Sequence, residues 1–400
     1  MITHVEIENY KSIKSTGKVP LRLEPLTVLV GQNATGKSNF VDALRFLPHA
    51  LDAGLEPAVR DRDGPPAIRR QPARADDTVG IRLALAADSM EGVYDVALGQ
   101  FGGEPTGSGA MGPAQSSRGP YSVLRERAEL KSDRDAQTIE RHGSRLDITH
   151  FHPDGSAGET TSVTTPVSER ALALPTLGGG AVTSLKDTLL MVCSYSIVPS
   201  ALRERQRAAA ASPLEGDGKN LASALEAMGE HFSDWLGQVR HGMARMVTGV
   251  SDVRVEPVGG GRRVIQLQHV DDGAAPQWLD LARESDGTIR LLALMTALCQ
   301  QPPPTLIAIE EPELYVHPGA MSVLCDEIRA ASHRTQVLIT THSPDLLNRF
   351  QPEELRVVEK HNGCTEIGPV APEQVEVLRD KLLAPGELMV AEGLRRQPDE

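Results

Sequence analysis

The run Gly31-Gln32-Asn33-Ala34-Thr35-Gly36-Lys37-Ser38 constrains this chain more than any other stretch. It reads G-x-x-x-x-G-K-S, and its flanks are those that such a loop needs. Leu26, Val28, Leu29 and Val30 before it form a short apolar run, which predicts a buried strand. Phe40, Val41, Ala43, Leu44 and Leu47 after it recur at helical spacing. A glycine loop between strand and helix turns successive backbone N–H groups inward, at the positive end of the helix dipole, and so binds phosphate. In that setting Lys37 is expected to reach the β- and γ-phosphates of a nucleotide, and the Ser38 hydroxyl to ligate Mg2+. The competing reading is a chance glycine turn before a helix, and the flanks weigh against it.

Two further apolar runs end in polar chemistry. Leu306-Ile307-Ala308-Ile309 leads into Glu310-Glu311-Pro312-Glu313, and Val337-Leu338-Ile339 leads through two threonines into His342-Ser343-Pro344. Unbroken apolar runs suit parallel strands covered on both faces, and open sheets of that kind bind ligands beyond their C-terminal strand ends. Glu310 is therefore a candidate to hold Mg2+, and Glu311 to orient or deprotonate an attacking water. An acidic cap on a following helix would use the same residues. Ser343 reads as a helix cap with Pro344 in the first turn, which leaves His342 at the strand end, either facing a γ-phosphate or simply filling a turn. Ser285-Asp286-Gly287-Thr288 precedes a buried helical run ending at Leu298. It serves equally as an ordinary helix start or as a second phosphate-binding helix N-terminus.

Composition narrows the class. A net charge of −13 over 400 residues argues against an indiscriminate nucleic-acid binder. Arg60, Arg62, Arg69, Arg70 and Arg74, then Arg203, Arg205 and Arg207, form basic clusters that suit either DNA contact or a solvated loop. The four cysteines show no metal-ligand spacing and read as reduced thiols. No apolar run approaches the roughly 18 residues of a membrane span, and no leader pattern opens the chain. A soluble, cytoplasmic protein is expected. The strand and helix patterns predict an α/β fold with a mixed sheet. Its core falls in two pieces, 1–50 and 276–400, split by an insertion at 51–275. Within the insertion, antiparallel strands are expected at about 76–165 and a helical arm at about 200–250, with a mobile loop at 102–119.

In their order, residues 31–38, Ser285 to Gly287, Glu310-Glu311 and His342 resemble the head domain of ABC-type ATPases. More narrowly, Asn9-Tyr10-Lys11-Ser12, Asn39, Glu310 to Glu313, His317-Pro318 and Thr341 to Pro344 resemble the RecF/SMC/OLD branch, many of whose members are labelled AAA family ATPases. The likeness covers about 1–50 and 280–360. It implies Mg2+-dependent ATP hydrolysis in a head-to-head dimer with two ATP molecules between the subunits. The phosphate loop, Glu310, Glu311 and His342 would act in cis, and Ser285 and Gly287 would reach the γ-phosphate from the partner. Residues 313–318 would line the dimer contact, while Lys11, Ser12 and Asn39 would lie near the nucleotide. Two departures stand out: Glu310 replaces the usual Asp, and Asp286 replaces a glycine. Gln100 is the candidate for the glutamine loop that helps hold Mg2+. OLD proteins carry a Toprim nuclease, but the 58 residues after His342 contain no Asp-x-Asp, and Asp271-Asp272 reads as a turn. The resemblance thus implies the motor or sensor subunit of a two-component phage-defence system, working with a separately encoded nuclease or toxin. The alternative is a RecF-like ATPase that clamps DNA. A transporter subunit fits poorly, given the long insertion.

Overall fold

All five residues of the strand Leu26–Val30 are buried, and its neighbours explain why. It lies between two parallel strands, Gln336–Thr341 on one side and Leu355–His361 on the other. Gln336–Thr341 in turn pairs in parallel with Leu306–Glu310, and that strand with Val192–Tyr195. Side chains alternate across these strands. Val28, Ile307 and Ile339 enter one apolar core, while Leu29, Ala308 and Leu338 enter a second on the other face. With both faces covered, only apolar runs survive, as expected for parallel strands.

This is a computed structural model. It describes the chain except for residues 18, 73–76, 88–89, 100–120, 133–135, 153–155, 209–212, 271–274 and 399–400. The expected features at 102–119, Gln100, Arg74 and Asp271-Asp272 lie outside the described residues.

The fold is α/β, and its main sheet is mixed. Beyond Leu355–His361, the antiparallel strand Cys364–Pro369 passes the sheet to Ile13–Ser15 and then to Ile2–Tyr10. Val79–Ala87 pairs with Ile2–Tyr10 and opens an antiparallel meander that ends at Ala157–Thr164. The strands from Val79 to Thr164, and Val192–Tyr195, within 51–275 therefore share the sheet of the core. The former extend one edge, and Val192–Tyr195 forms the other. Gln336 ties the first strand to the parallel half. Its amide accepts from Ile2 N at 2.9 Å and donates to Ile2 O at 2.8 Å.

The expected helical arm is two helices, Leu221–His231 and Ser233–Met246, broken at Phe232. They lie on the core and do not project from it. Met228, Val239 and Met243 are buried against the helix Asp286–Leu298. Gly242 permits the approach, since a Cβ there would lie 2.4 Å from Met295 Cε. A second, small sheet holds the hairpin Val250–Val258 and Arg262–His269, flanked by Gln277–Asp280. Pro257 sits on its edge strand, where a missing N–H costs nothing. Among the described residues, no helix is long and apolar enough to cross a membrane.

Candidate functional site

Register brings the motifs to one edge. Val30 pairs with Thr341, and Glu310 with Thr340, so the phosphate loop, the carboxylates and His342 all leave the sheet at the same level. The helix Lys37–Asp52 follows the loop and buries Phe40, Leu44 and Leu47, each worth roughly 1.5–3 kcal/mol. That packing fixes the helix N-terminus against the strand end.

The loop is built to admit a close ligand. Gly36, its last turn, has φ +111°, and a Cβ there would meet Thr365 Oγ1 at 2.2 Å. A Cβ on Gly31 would meet the Val358 carbonyl at 2.3 Å. Lys37 donates to the carbonyls of Gly31 and Gln32 at 2.7 and 2.9 Å, which curls the loop round its ammonium. Burial lowers the Lys37 pKa, against the opposing pull of Glu311 and Glu313. The strand-end carboxylates are thus gathered round the one lysine that would meet a phosphate. Thr35 Oγ1 donates to Gln32 O at 2.9 Å and steadies the turn at Asn33 and Ala34, where Ala34 takes a left-handed φ of 63°. A cleft of about 440 Å3 lies between residues 31–35, residues 357–361 and the tail at Met389 and Leu394.

Behind the loop stands a network of hydroxyls. Asn39 donates to Ser12 Oγ at 2.7 Å, Ser12 Oγ lies 2.7 Å from Thr365 Oγ1, and Thr365 donates to Thr35 O at 2.6 Å. Ser12 and Asn39 thus lie beside the loop, as the resemblance implies. Lys11 is placed differently. Its ammonium pairs with Asp42 at 2.6 Å, on the helix after the loop. Ser38 is the second residue of that helix, at the mouth of the site. Arg62 also binds Asp42, at 2.9 Å, with its side chain only 7% exposed. It is a structural residue, which removes it from the expected basic patch.

The carboxylate turn is strained. Glu311 has φ +47°, unusual for a side chain of its size, and its N–H is held by Thr340 O at 3.0 Å. Arg290, from the helix after Ser285, supplies the clamp. Its guanidinium donates to the carbonyls of Glu310 and Glu311 at 2.8 and 2.9 Å, and to Ile197 O at 2.6 Å. Burial lowers its pKa, opposed first by Glu313 and then by Glu311. His342 Nδ1 lies 3.3 Å from Glu311 Oε1, without the alignment of a hydrogen bond. Thr341 Oγ1 donates to one oxygen of Glu313, and the other is buried with no partner. An orphaned carboxylate oxygen beside the lysine and the strand-end acids suits a cationic ligand.

Ser285 caps the helix Asp286–Leu298, accepting from Thr288 N at 3.1 Å. Gly287 lies against the next loop, where a Cβ would meet Tyr315 O at 2.3 Å. That loop is open to solvent at Leu314 and Tyr315.

Residues 202–348 match the family described as "AAA domain, putative AbiEii toxin, Type IV TA system", and residues 1–53 match the family described as "AAA ATPase domain". Over 395 residues the chain is 25% identical to the Old nuclease of Escherichia phage P2, with 90% of this chain and 60% of that protein aligned. Two stretches of the chain thus match AAA ATPase-domain families, and the chain is distantly similar to the phage Old nuclease. The fold agrees. An SMC head bound to the C-terminal winged-helix domain of ScpA superposes with a TM-score of 0.51 at 16% identity, covering 94% of this chain and 99% of that one. The chain spans 60% of the length of the phage relative.

Sequence reasoning placed the loop, both carboxylates, His342 and Ser285 on the right elements. It missed Arg290 and Thr365. Arg290 carried one legible signal, the one charge in the apolar run that follows the helix's first turn. Thr365 carried none.

Proposed function

We propose that this ATPase binds and hydrolyses ATP at the sheet edge. One observation carries the reading: Lys37, Glu311, Glu313 and His342 converge where the glycine loop opens. Lys37 would release the loop carbonyls and meet the β- and γ-phosphates, whose charge restores what burial takes from its ammonium. Mg2+, when bound, neutralises phosphate charge. Ser38 and Glu310 would hold it, and the unpartnered oxygen of Glu313 is a further ligand candidate. Glu311 would accept a proton from the attacking water, and His342, 3.3 Å away, would orient it. Arg290 would keep Glu311 aimed by fixing the backbone on which it stands.

The second subunit would complete the site. Ser285 and Gly287 open a helix N-terminus whose free N–H groups suit a γ-phosphate, and Leu314 and Tyr315 beside them offer exposed apolar surface for a partner. ATP would thereby join two heads, and the joined state would be read by a separate effector, as in a two-component phage-defence system. The burial of Arg62 weakens the DNA-clamp alternative.

Purified wild-type protein should turn over ATP with Mg2+. Lys37→Ala should lose nucleotide binding. Glu311→Gln should bind ATP but turn over at least about a hundredfold more slowly, because an amide cannot take the proton. It should also elute as an ATP-dependent dimer. Undiminished turnover in Glu311→Gln would remove Glu311 from this role.

A further inference from the structure

Two carboxylates flank Ser285, and each is drawn aside by a partner from another segment. Glu284, with its side chain 8% exposed, faces His269 Nε2 at 2.8 Å. Asp286 Oδ1 lies 2.6 Å from Arg203 NH2, with side chains 46% and 33% exposed. The other terminal nitrogen of Arg203 donates to Ala282 O at 2.7 Å, four residues before Asp286. The backbone around Arg203 is fixed. Leu202 before it is buried, and the Gln206 side chain after it accepts from Ala222 N at 2.7 Å. The guanidinium is therefore presented to Asp286 from a braced segment and does not drift on a loop.

Asp286 poses an electrostatic problem. It sits in the first turn of the helix whose N-terminus the proposed function assigns to a γ-phosphate. A carboxylate there complements the helix dipole, yet repels the anion that the same N–H groups would bind. Resting on that reading, we propose that Arg203 is a positioning residue for the reaction in trans. It masks the Asp286 charge and holds the carboxylate back toward Ala282, so that a phosphate approaching Ser285 and Gly287 meets donors only. A charge-assisted bond of this geometry suits the task, since it fixes direction as well as neutralising charge. The ligand is the terminal phosphate of a nucleoside triphosphate carried by a second copy of this chain.

The test is a double-mutant cycle on the full chain, read as ATP turnover at saturating ATP and as nucleotide affinity in dilute, monomeric protein. Arg203→Ala should lose about tenfold in turnover and keep its affinity within about twofold, because the cost falls on the approach of the second head. Adding Asp286→Asn should recover most of that loss, since removing the charge replaces masking it. Asp286→Asn alone should change turnover less than Arg203→Ala does. A double variant no better than Arg203→Ala overturns the proposal, as does Arg203→Ala with wild-type turnover. Should Arg203→Ala fold poorly, Arg203→Gln, which keeps a donor for Ala282 O, is read by the same criteria. Lys37→Ala run in parallel separates the two claims. Full turnover there removes the assignment of ATP hydrolysis to this loop, whereas defects there with none in the Arg203 variants remove only this inference.

Discussion

The phosphate-loop region and the Ser285 region, the two ends of the candidate site, are held by different means. At the loop end the backbone does the shaping: Gly36 takes φ +111°, Ala34 is left-handed, and Lys37 bonds to loop carbonyls six and five residues away. At the Ser285 end, side chains from distant segments do it. Arg203 and His269 draw aside the flanking acids, and Arg290 reaches across to the carboxylate turn. A backbone-built site is written in one short run of residues. A side-chain-built site is written in pairs scattered along the chain. The first tolerates almost no change inside the run, while the second should fail in degrees.

The sharpest way to break the contrast is Gly36→Ala. The added Cβ has no room beside Thr365 Oγ1 and Ser12 Oγ, at 2.2 and 2.8 Å, and the φ disfavours any side chain. ATP affinity measured by calorimetry should fall at least about a hundredfold, with the circular dichroism of the fold retained. Near-normal binding would mean that the loop is not fixed by its backbone.

Arg290→Met comes next. It strands the carbonyls of Ile197, Glu310 and Glu311, so chemical denaturation should register about 3 kcal/mol of lost stability. Turnover should fall more than nucleotide affinity, because the loop end is untouched. Equal losses in both would show the two ends to be one unit.

The smallest effect is expected from Thr365→Val, which keeps the shape and removes the hydroxyl. Losing the bonds to Thr35 O and Ser12 should weaken ATP binding by about fivefold, near 1 kcal/mol, in a fluorescent-nucleotide titration. No change would confine this network to structure alone.

The same contrast explains what the sequence disclosed. The glycine loop, Glu310-Glu311 and His342 each follow an apolar strand, so local pattern was enough to place them. Arg203 gave no such cue, because its partner lies 83 residues on. Thr365 reaches a carbonyl 330 residues back. The helices at 221–246 were legible as helices, but their seat on the core depends on Gly242 meeting Met295. The place of the strands from Val79 to Thr164 in the main sheet was hidden for the same reason, since strand pairing is a long-range choice that alternation alone does not fix.

Leu26–Val30 leaves the ribosome some three hundred residues before its two flanking strands, which begin at Gln336 and Leu355. At synthesis rates of roughly 5–20 residues per second, its apolar residues wait about 15–60 s for their neighbours. During that interval the phosphate loop has no wall from Thr365 and no strand on either side. The proposed nucleotide capture is therefore a late event in the birth of the molecule, and a nascent chain halted before the Leu355–Pro369 hairpin leaves an apolar strand uncovered.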